Sequence, residues 1–566
     1  MLSKKMNSTY TLGIHGYKGS ASHDASACII RDGELLCAVE EERFLRDKHA
    51  ECQSPIHSVR FCLNMAGIEP NDVSAIASGW NIDGNWIDTC DWSQCRTWRE
   101  NALPQEFGEM KNDLLIYFVR HHVAHLAAAF YMSNYPSAVC VCFDGQGEYE
   151  SISLAVADKR GLNLIRSYDQ RYSLGALYEA AAAYSGLGRN VPGKLMGLAS
   201  YGKPVYDIPL TLNSQTGHFN LDVPELRNLN KPSAEEVCIR WHQYFKDHLY
   251  PFCTGNSSDL LRYANLAASV QFTIEQVILN TVMYCKSIVP KETRLVLSGG
   301  VALNCVANSK LVRRAPFKQY FAPPGPNDAS CSIGAAIEAE RQRTGKWHRR
   351  SAKIYTARLG PSFSNEDAKN AAESFNLTAR HYEDKPLLKR VVRNLQEGAI
   401  VGWFQGAAEF GPRALGGRSI LASAACPENS RKINSLKNRE LWRPLSPVIR
   451  IENISKVFCD QQSDLAQFMT QAMTVKDEWV ARIPVIVHVD NTSRPQSVTK
   501  RENPKLWDLL LQYERETGLP VLVNTSLNLS GEPIVHDPKD AIGIFLKCEE
   551  MQVIMIENIY ISKRTT

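Results

Sequence analysis

The stretch His121-His122-Val123-Ala124-His125 lies where a predicted strand meets a predicted helix. Residues 114–119 precede it as an apolar run typical of a buried strand, and an Ala-rich run that favours a helix follows it. Because residues four apart share one face of a helix, His121 and His125 can direct two imidazoles at one ion, while His122 faces elsewhere. The stretch therefore predicts a metal site, against the alternative of a helix with two solvated histidines.

A carboxylate follows the next predicted strand. Residues 138–143 are apolar and end in Asp144-Gly145-Gln146-Gly147-Glu148, so Asp144 stands at a strand's C-terminal end, where active-site groups of α/β proteins gather. Two imidazoles and one carboxylate suit a catalytic iron, manganese or zinc with open coordination positions. Asp328 precedes a small-residue helix and offers a further carboxylate, although it can equally be the N-cap of that helix.

The composition is that of an ordinary globular protein. With 44% hydrophobic and 22% charged residues, the 566-residue chain is not a disordered protein, and its length predicts about two to four domains. Lys and Arg number 64 against 60 Asp and Glu, and the net charge of +4 is too small for a charge-driven binder of nucleic acid or membranes. We therefore expect neither partner, and we leave the oligomeric state open, with a homodimer as one option.

The cysteines and the apolar runs predict the compartment. The 16 cysteines are dispersed without a C-x-x-C pair, which favours reduced thiols over a zinc ribbon or a disulfide scaffold. No apolar segment follows the N-terminal lysines as in a signal peptide, and no apolar run approaches the ~18 residues that a membrane span needs. We expect a soluble, cytoplasmic protein.

Two similar arrangements suggest an internal duplication of the N-terminal half. Strand-like runs at residues 27–30 and 35–39 flank an Asp32-Gly33 turn, and a comparable hairpin covers residues 151–157 and 162–166. Each hairpin follows a strand and a polar, glycine-containing loop. The N-terminal half is therefore predicted to contain one supersecondary unit twice.

Residues 81–107 separate the two copies and are predicted to be an inserted loop region. The segment has few periodic apolar positions but contains Trp86, Trp92 and Trp98. Exposed tryptophans could grip an acceptor substrate, but the same residues can equally cap a core.

Three glycine turns in the N-terminal half lie where backbone N–H groups can meet a phosphate. They are Gly145-Gln146, Gly193-Lys194 and Gly299-Gly300, and Asn304 stands at the start of the helix after the third turn. One such turn is usually only a tight turn. Three of them together favour nucleotide binding between two lobes.

The C-terminal part carries basic residues beside glycines and predicted strand ends. A shift in composition predicts a domain boundary near Ala352. Beyond it, residues 483–489 are predicted to be a strand that ends just before Arg494. Several arginines in such settings favour bidentate recognition of a phosphate-rich ligand, although any single one is better explained as a solvated side chain. The candidates are Arg413, Arg418, Lys437, Arg439, Arg443, Arg494 and the Asn524-Thr525-Ser526 stretch.

Taken together, these motifs resemble those of the O-carbamoyltransferases, the family that includes the tobramycin and cephem carbamoyltransferases and nodulation protein U. The resemblance covers almost the whole chain. It rests on His23-Asp24-Ala25-Ser26, Glu40-Glu41-Glu42-Arg43-Phe44, residues 121–125, 144–148, 192–197, 298–304 and 409–418, Arg443-Pro444 and Asn524-Thr525-Ser526.

The resemblance implies a two-domain α/β enzyme. Residues 1–352 are similar to a duplicated actin-like domain of the ASKHA, ribonuclease-H-like class, and residues 353–566 are similar to a YrdC-like domain, the type that makes threonylcarbamoyl-AMP. The implied reaction uses ATP with Mg²⁺ and carbamoyl phosphate to form carbamoyl adenylate. The carbamoyl group then passes to a hydroxyl of a small-molecule acceptor in natural-product or oligosaccharide biosynthesis.

The resemblance also implies roles for individual residues. It assigns Fe²⁺, or another divalent transition metal, to His121, His125, Asp144 and Asp328, and it assigns His23 and Lys48 to the acceptor side. His23 is a candidate general base because an unperturbed imidazole titrates near neutral pH, unless it only forms structural hydrogen bonds. The implied anion-binding residues are Arg413, Lys437, Arg443, Arg494, Asn524 and Ser526.

Other functions compete with this one. A non-catalytic nucleotide switch of the actin or chaperone type would use the glycine turns for ATP alone, but it needs no second anion site. A threonylcarbamoyl-type tRNA-modifying enzyme is a further alternative. A hydrogenase-maturation role is disfavoured because the chain has no C-x-x-C zinc fingers. The sequence does not name the acceptor.

Overall fold

The computed structural model describes residues 8–18, 22–81, 85–103, 113–188, 191–249, 262–347 and 356–563. Within these residues, three large β-sheets of six, five and eight strands form an α/β scaffold. The first two sheets belong to the N-terminal part of the chain and the third to the C-terminal part. The predicted boundary residue, Ala352, lies outside the described residues.

The first sheet has the strand order β3-β2-β1-β4-β6-β5. Strands β1, β2 and β3 form an antiparallel meander, β4 and β6 continue it in parallel, and β5 is antiparallel at the edge. The predicted hairpin around Asp32-Gly33 is confirmed. The elements are β1 (Tyr10–His15), β2 (Ser26–Arg31), β3 (Glu34–Glu40), α1 (Glu42–Leu45), α2 (Ile56–Ala66), β4 (Ala75–Ser78), β5 (Ile87–Asp91), α3 (Arg96–Ala102), β6 (Leu115–Val119) and α4 (His121–Ser133).

The second sheet has the order β13-β12-β7-β8-β9, in which β7, β8 and β9 form a meander and β12 and β13 run parallel to β7. This arrangement repeats that of the first five strands of sheet one. The elements are β7 (Ala138–Phe143), β8 (Glu150–Asp158), β9 (Gly161–Asp169), α5 (Leu174–Tyr184), α6 (Pro192–Ala199), β10 (Leu210–Leu212), β11 (Phe219–Leu221), α7 (Pro224–Arg227), α8 (Ala234–His248), α9 (Ala264–Ile288), β12 (Arg294–Ser298), α10 (Cys305–Arg314), β13 (Gln319–Phe321) and α11 (Cys331–Thr344).

The third sheet is mixed and has the order β14-β23-β22-β15-β16-β21-β17-β20. Its strands are β14 (Arg380–His381), β15 (Ile400–Phe404), β16 (Arg418–Ser423), β17 (Ser446–Arg450), β20 (Gln496–Val498), β21 (Val521–Ser526), β22 (Met551–Ile556) and β23 (Ile559–Ser562). The strands β18 (Met473–Thr474) and β19 (Thr492–Ser493) form a separate two-stranded sheet. The helices are α12 (Asn365–Ser374), α13 (Asp384–Gln396), α14 (Glu428–Leu436), α15 (Ile454–Val457), α16 (Asp477–Val480), α17 (Pro504–Thr517) and α18 (Pro538–Lys547).

The predicted strand at residues 483–489 is wrong. A short 3₁₀ turn, Pro484–Ile486, occupies its centre. Proline has no N–H to donate to a sheet, so this apolar run packs in the core as irregular chain instead. Arg494 does follow a strand, because the two-residue strand β19 ends at Ser493.

The segment predicted as an inserted loop region is ordered structure where the chain is described. Strand β5 pairs with β6, and α3 follows it, while residues 104–107 lie outside the described residues. Trp92 is buried in the core beneath the first sheet and Trp98 packs against the same core, so these tryptophans cap a core. The turn between β5 and α3 brings the Cα atoms of Cys90 and Cys95 to 6.7 Å, and a disulfide joins them. The expectation of reduced thiols is therefore wrong for this pair, although the other described cysteines are free.

One hydrophobic cluster crosses from the N-terminal part to the C-terminal part. Phe130 and Phe321 of the N-terminal part share it with Leu359, Phe410 and Phe468 of the C-terminal part. The two parts are thereby packed along a common core, which fixes the loops between them. Among the described helices, none is both long enough and apolar enough to cross a bilayer.

Candidate functional site

Helix α4 brings together the predicted metal ligands. The Nε2 atoms of His121 and His125 lie 3.1 Å apart. Asp144 Oδ2 is 3.3 and 3.5 Å from these two nitrogens, and Asp328 Oδ1 is 3.5 Å from each. All four side chains are buried, and we call them the four-ligand cluster. His122 turns away and hydrogen-bonds Ser153 Oγ at 2.8 Å, as the helical spacing predicts.

The donor set of the four-ligand cluster fits a divalent transition metal. His121 Nδ1 hydrogen-bonds the carbonyl oxygen of Gly79 at 3.1 Å, which makes Nδ1 the donor and leaves the Nε2 lone pair for a ligand. The two Nε2 atoms face each other, so a cation between them would satisfy both. Two imidazoles and two carboxylates with converging atoms suit iron, manganese or zinc.

Local contacts hold the cluster in place. Glu148 accepts a hydrogen bond from the backbone N–H of His121 at 2.9 Å and so caps the buried start of α4. Gly300 N–H donates to Asp144 Oδ1 at 2.9 Å. Burial opposes the charged form of Asp144, but the facing imidazoles of His121 and His125 hold the pKa of this carboxyl well below its usual range.

The Gly299-Gly300 turn therefore orients a cluster carboxylate. Gly299 has a φ of +80°, and a Cβ there would lie 2.2 Å from the carbonyl oxygen of Phe143, so only glycine fits. The predicted phosphate role of this turn stays a prediction, and its Gly300 N–H already has a partner.

His23 lies between two carboxylates. Its Nδ1 is 3.0 Å from Asp24 Oδ2, and its Nε2 is 3.8 Å from Asp328 Oδ2. The charge of Asp328, aided by Asp24, raises the pKa of His23 to about 10 despite the opposing effect of burial. The role of His23 as a general base stays a prediction.

A cavity of about 620 Å³ lies between the N-terminal and C-terminal parts, and we call it the central cavity. Its lining brings together most of the residues predicted for anion and acceptor binding. From the N-terminal part come Asp24, Lys48, His49, Gly193, Lys194 and Asn327, and from the C-terminal part come Arg413, Lys437, Arg443, Arg494, Asn524 and Ser526. Asn327 connects the cavity to the four-ligand cluster through its sequence neighbour Asp328. Asp24 does so through its neighbour His23, whose Nε2 lies 3.8 Å from Asp328 Oδ2.

Five cationic side chains form what we call the basic wall of the central cavity, namely Arg413, Lys437, Arg439, Arg443 and Arg494. Burial, with repulsion from neighbouring arginines, lowers the pKa of Arg413 to about 9 and that of Arg439 to about 9. The Nε of Arg413 is buried without a hydrogen-bond partner among the described residues. Such a set of like charges favours a polyanionic ligand.

The sequence around Arg413 shapes the loop that presents it. One carboxylate oxygen of Glu409 accepts hydrogen bonds from the backbone N–H groups of Leu415 at 2.8 Å and Arg418 at 3.0 Å. Arg418 itself is fully buried and donates to backbone carbonyls, so it is structural. The glycine-rich stretch is therefore a rigid loop with Arg413 directed at the cavity.

The other C-terminal residues are held by hydrogen bonds among themselves. Lys437 Nζ donates to the carbonyl oxygen of Ser526 and to Asn528 Oδ1, both at 2.6 Å. Arg494 donates to Ser446 Oγ at 3.0 and 3.2 Å. These contacts fix the positions of the cations before any ligand binds.

Some predicted residues lie outside the described lining of the central cavity, namely Gly145, Gln146, Gly299, Gly300 and Asn304. Asn304 caps α10 by accepting from Ala307 N–H at 3.0 Å and donates to Gln271 Oε1 at 2.9 Å. Gln146 is exposed. Their assignment to nucleotide binding stays a prediction that the cavity does not support.

The sequence reasoning gave no role to Asp24 or His49, which line the cavity, and named Arg439 only as one of the basic candidates. Asp24 and His49 directly follow His23 and Lys48, so their adjacency to assigned residues was an available signal. Arg439 was visible in the basic run.

Comparison with known proteins gives consistent matches. The family model described as "Carbamoyltransferase N-terminus" matches residues 12–88 and 96–337, and "Carbamoyltransferase C-terminus" matches residues 392–563. Nodulation protein NolNO of Sinorhizobium fredii is 30% identical over 96% of this chain and 79% of its own length. The 3'-hydroxymethylcephem-O-carbamoyltransferase of Streptomyces clavuligerus is 35% identical over 45% of this chain and 46% of its own. The solved structure of HypF from T. kodakarensis aligns with 60% of this chain and 48% of its own at 10% identity, with a TM-score of 0.35.

Proposed function

Because the chain belongs to the carbamoyltransferase family and is a carbamoyltransferase, we propose that it is an ATP-dependent O-carbamoyltransferase for a small hydroxylated acceptor. The observation that carries the proposal is the central cavity, which adjoins a basic wall on one side and the surroundings of the four-ligand cluster on the other. A carbamoyl group activated at the wall can be transferred beside the cluster without leaving this cavity.

The basic wall supports the activation step. Its cations would offset the phosphate charges of carbamoyl phosphate while water cleaves it to carbamate and phosphate. They would then offset those of Mg²⁺-ATP while the carbamate oxygen attacks the α-phosphorus, which gives carbamoyl adenylate and releases pyrophosphate. Lys437 and Arg494 are already held by neighbouring oxygens, so they need little reorganisation. Asn524 and Ser526 add polar groups to the same wall.

The four-ligand cluster and its neighbours support the transfer step. His121, His125, Asp144 and Asp328 would hold the metal, Fe²⁺ by family resemblance, and when bound it would supply Lewis acidity towards the carbamoyl oxygen. His23 and Lys48 would act on the acceptor side. Lys48 lines the central cavity, and His23 borders it through Asp24.

The matching strand orders of the first two sheets support the finer fold assignment. We propose that the N-terminal part is a duplicated actin-like domain and that the C-terminal part is YrdC-like. The boundary near Ala352 and cytoplasmic localisation remain parts of the same proposal.

The competing functions are less well supported. A nucleotide switch is not a carbamoyltransferase and has no use for the basic wall. A tRNA-modifying enzyme would have to bind a macromolecule, whereas these cations line a cavity of about 620 Å³, the size of a small-ligand site. Small hydroxylated acceptors fit this volume better.

The test is to incubate the purified chain with ATP, Mg²⁺ and carbamoyl phosphate and to measure pyrophosphate. A panel of acceptors, namely 3'-hydroxymethylcephem, an aminoglycoside and an oligosaccharide, is then analysed by intact mass for the gain of one carbamoyl group. Pyrophosphate that depends on carbamoyl phosphate supports the proposal. Pyrophosphate formed equally well without carbamoyl phosphate would contradict it.

A further inference from the structure

Asp24 and His49 form a carboxylate–imidazole pair that opens on the central cavity. His49 Nδ1 lies 2.8 Å from Asp24 Oδ1, and both residues line the cavity. The other oxygen of Asp24 accepts from Asn327 Nδ2 at 2.8 Å and lies 3.0 Å from His23 Nδ1. One carboxylate thus connects His49 to the loop that carries Asp328.

The backbone of this pair is strained and held in place. Asp24 has a φ of +58° and His49 a φ of +68°, a left-handed conformation that non-glycine residues rarely adopt. Asp24 N–H donates to the carbonyl oxygen of His49 at 2.6 Å, and His49 N–H donates to Glu42 Oε2 at 2.8 Å. Strain that the surroundings maintain so fully is typical of functional sites.

The two histidines beside Asp24 differ in what their second nitrogen faces. His23 faces a carboxylate with each ring nitrogen, Asp24 at 3.0 Å and Asp328 at 3.8 Å. His49 uses Nδ1 for Asp24, and its Nε2 has no hydrogen-bond partner among the described residues. Because Asp24 accepts the proton on Nδ1, the Nε2 of a neutral His49 carries the lone pair, which is the orientation of a general base.

We propose that His49 is a catalytic residue whose Nε2 takes the proton from the acceptor hydroxyl during carbamoyl transfer, with Asp24 as its positioning residue. This inference rests on the proposed function. In the step, the hydroxyl oxygen bonds to the carbamoyl carbon, the bond from that carbon to the AMP phosphate oxygen breaks, and AMP leaves with the electron pair. The proton moves from the hydroxyl to His49 Nε2 and then to solvent through the cavity.

The test compares His49→Asn with the matched control His57→Asn. His57 also pairs its Nδ1 with a carboxylate, Glu41 at 2.6 Å, and its side chain is 45% exposed against 36% for His49. His57 does not line the central cavity. Asparagine tolerates the left-handed backbone and keeps an amide donor for Asp24, so the change removes the base and little else.

The measurement is AMP release from carbamoyl adenylate formed in situ, with water and glycerol as oxygen acceptors and hydroxylamine as a nitrogen nucleophile. Hydroxylamine attacks as a neutral amine and needs no base for activation. We expect His49→Asn to slow release to the oxygen acceptors by about 10²- to 10⁴-fold. In His49→Asn, AMP release to hydroxylamine and pyrophosphate formation should both stay within about threefold of wild type, because neither reaction depends on a base at His49. The control His57→Asn should match wild type in every assay.

The outcomes separate this inference from the proposed function. Equal losses with oxygen acceptors and hydroxylamine, or no loss with either, would overturn the role of His49 while pyrophosphate formation upheld the proposed function. Absence of pyrophosphate from the wild type would overturn both. If circular dichroism shows that His49→Asn is unfolded, His49→Gln is measured in the same assay and decides in its place.

Discussion

The four-ligand cluster and the basic wall are both buried and polar, but they are built on opposite electrostatic principles. In the cluster, histidines face aspartates, and the pKa of Asp144 and that of Asp328 are held well below their usual range by these partners. In the basic wall, burial and like charges lower the pKa values of Arg413 and Arg439. The cluster has its counter-charges within the protein, whereas like charges dominate the wall, with Glu440 at 3.9 Å from Arg443, until an anion binds. The two regions should therefore fail in different ways when they are mutated.

The largest expected effect comes from the cluster. His125→Ala should abolish carbamoyl transfer, a loss of more than about 10³-fold, because it removes one ligand of a Lewis-acidic metal worth several kcal/mol in the transition state. Pyrophosphate formation should be nearly intact, because His125 lies outside the described lining of the central cavity. Both products are measured on the folded variant. Equal loss of pyrophosphate formation and carbamoyl transfer would contradict the assignment of the two steps to different regions.

Metal content gives the same comparison without any assay of activity. The purified wild type should carry a divalent transition metal, most simply iron, and the His121→Ala, His125→Ala double variant should carry almost none. Elemental analysis of the two proteins, with His122→Ala as the matched control from the same helix, makes the measurement. The same metal content in all three proteins would refute the metal site.

The next effect comes from the basic wall. Arg413→Met should slow pyrophosphate formation by about 10²- to 10³-fold, because it removes a charge-assisted phosphate contact. Arg443→Met should cost less, since the Arg443 side chain is 28% exposed and has Glu440 at 3.9 Å. Arg160→Met is the control, because this arginine is exposed and its ion pair in the described part of the chain is with Asp158. A greater loss with Arg443→Met than with Arg413→Met would contradict the expectation that the more buried arginine contributes more to pyrophosphate formation.

The cluster was more predictable from sequence than the wall or the cavity. The helical spacing of His121 and His125 and the strand end at Asp144 are local patterns, and the structure follows both. The central cavity depends on the packing of one loop against another hundreds of residues away, which no local pattern encodes. His49 was missed because its left-handed backbone and its contact with Asp24 arise only in the folded chain.

The two regions meet at Gly411, so a change there should affect both. Its backbone N–H donates to Glu40 Oε1 at 2.9 Å, and its carbonyl oxygen accepts from Arg43 at 2.7 Å. A Cβ on Gly411 would lie 2.4 Å from the carbonyl oxygen of Pro324, in the loop that leads to Asp328, and the φ of Gly411 is +103°.

Gly411→Ala should therefore lower the free energy of unfolding by about 3 kcal/mol or more, through backbone strain and a steric clash. It should also reduce pyrophosphate formation and transfer together. Gly531→Ala is the matched control, because Gly531 also has a positive φ, +78°, but nothing lies within 4 Å of the added Cβ. It should cost only about 1 kcal/mol. Equal destabilisation by the two changes, measured by urea unfolding, would show that Gly411 is not a junction.

The smallest effect concerns the pH dependence of that junction. Burial, opposed by Arg43, raises the pKa of Glu40 to about 7 from 4.5 in a model peptide. Between pH 4.5 and 7, Glu40 therefore binds more protons in the folded protein than in the unfolded chain. Its contribution to the free energy of unfolding is complete below about pH 4.5 and is lost as the pH rises towards 7. Since one pKa unit corresponds to about 1.4 kcal/mol, the loss should be at most about 3.5 kcal/mol. The variant Glu40→Gln cannot titrate at this position and should lack this pH dependence. The difference in unfolding free energy between wild type and variant should therefore change by this amount between pH 4.5 and 7. Urea unfolding at intervals between pH 4.5 and 8 measures this difference. A constant difference across that range would mean that the pKa of Glu40 is not raised by folding.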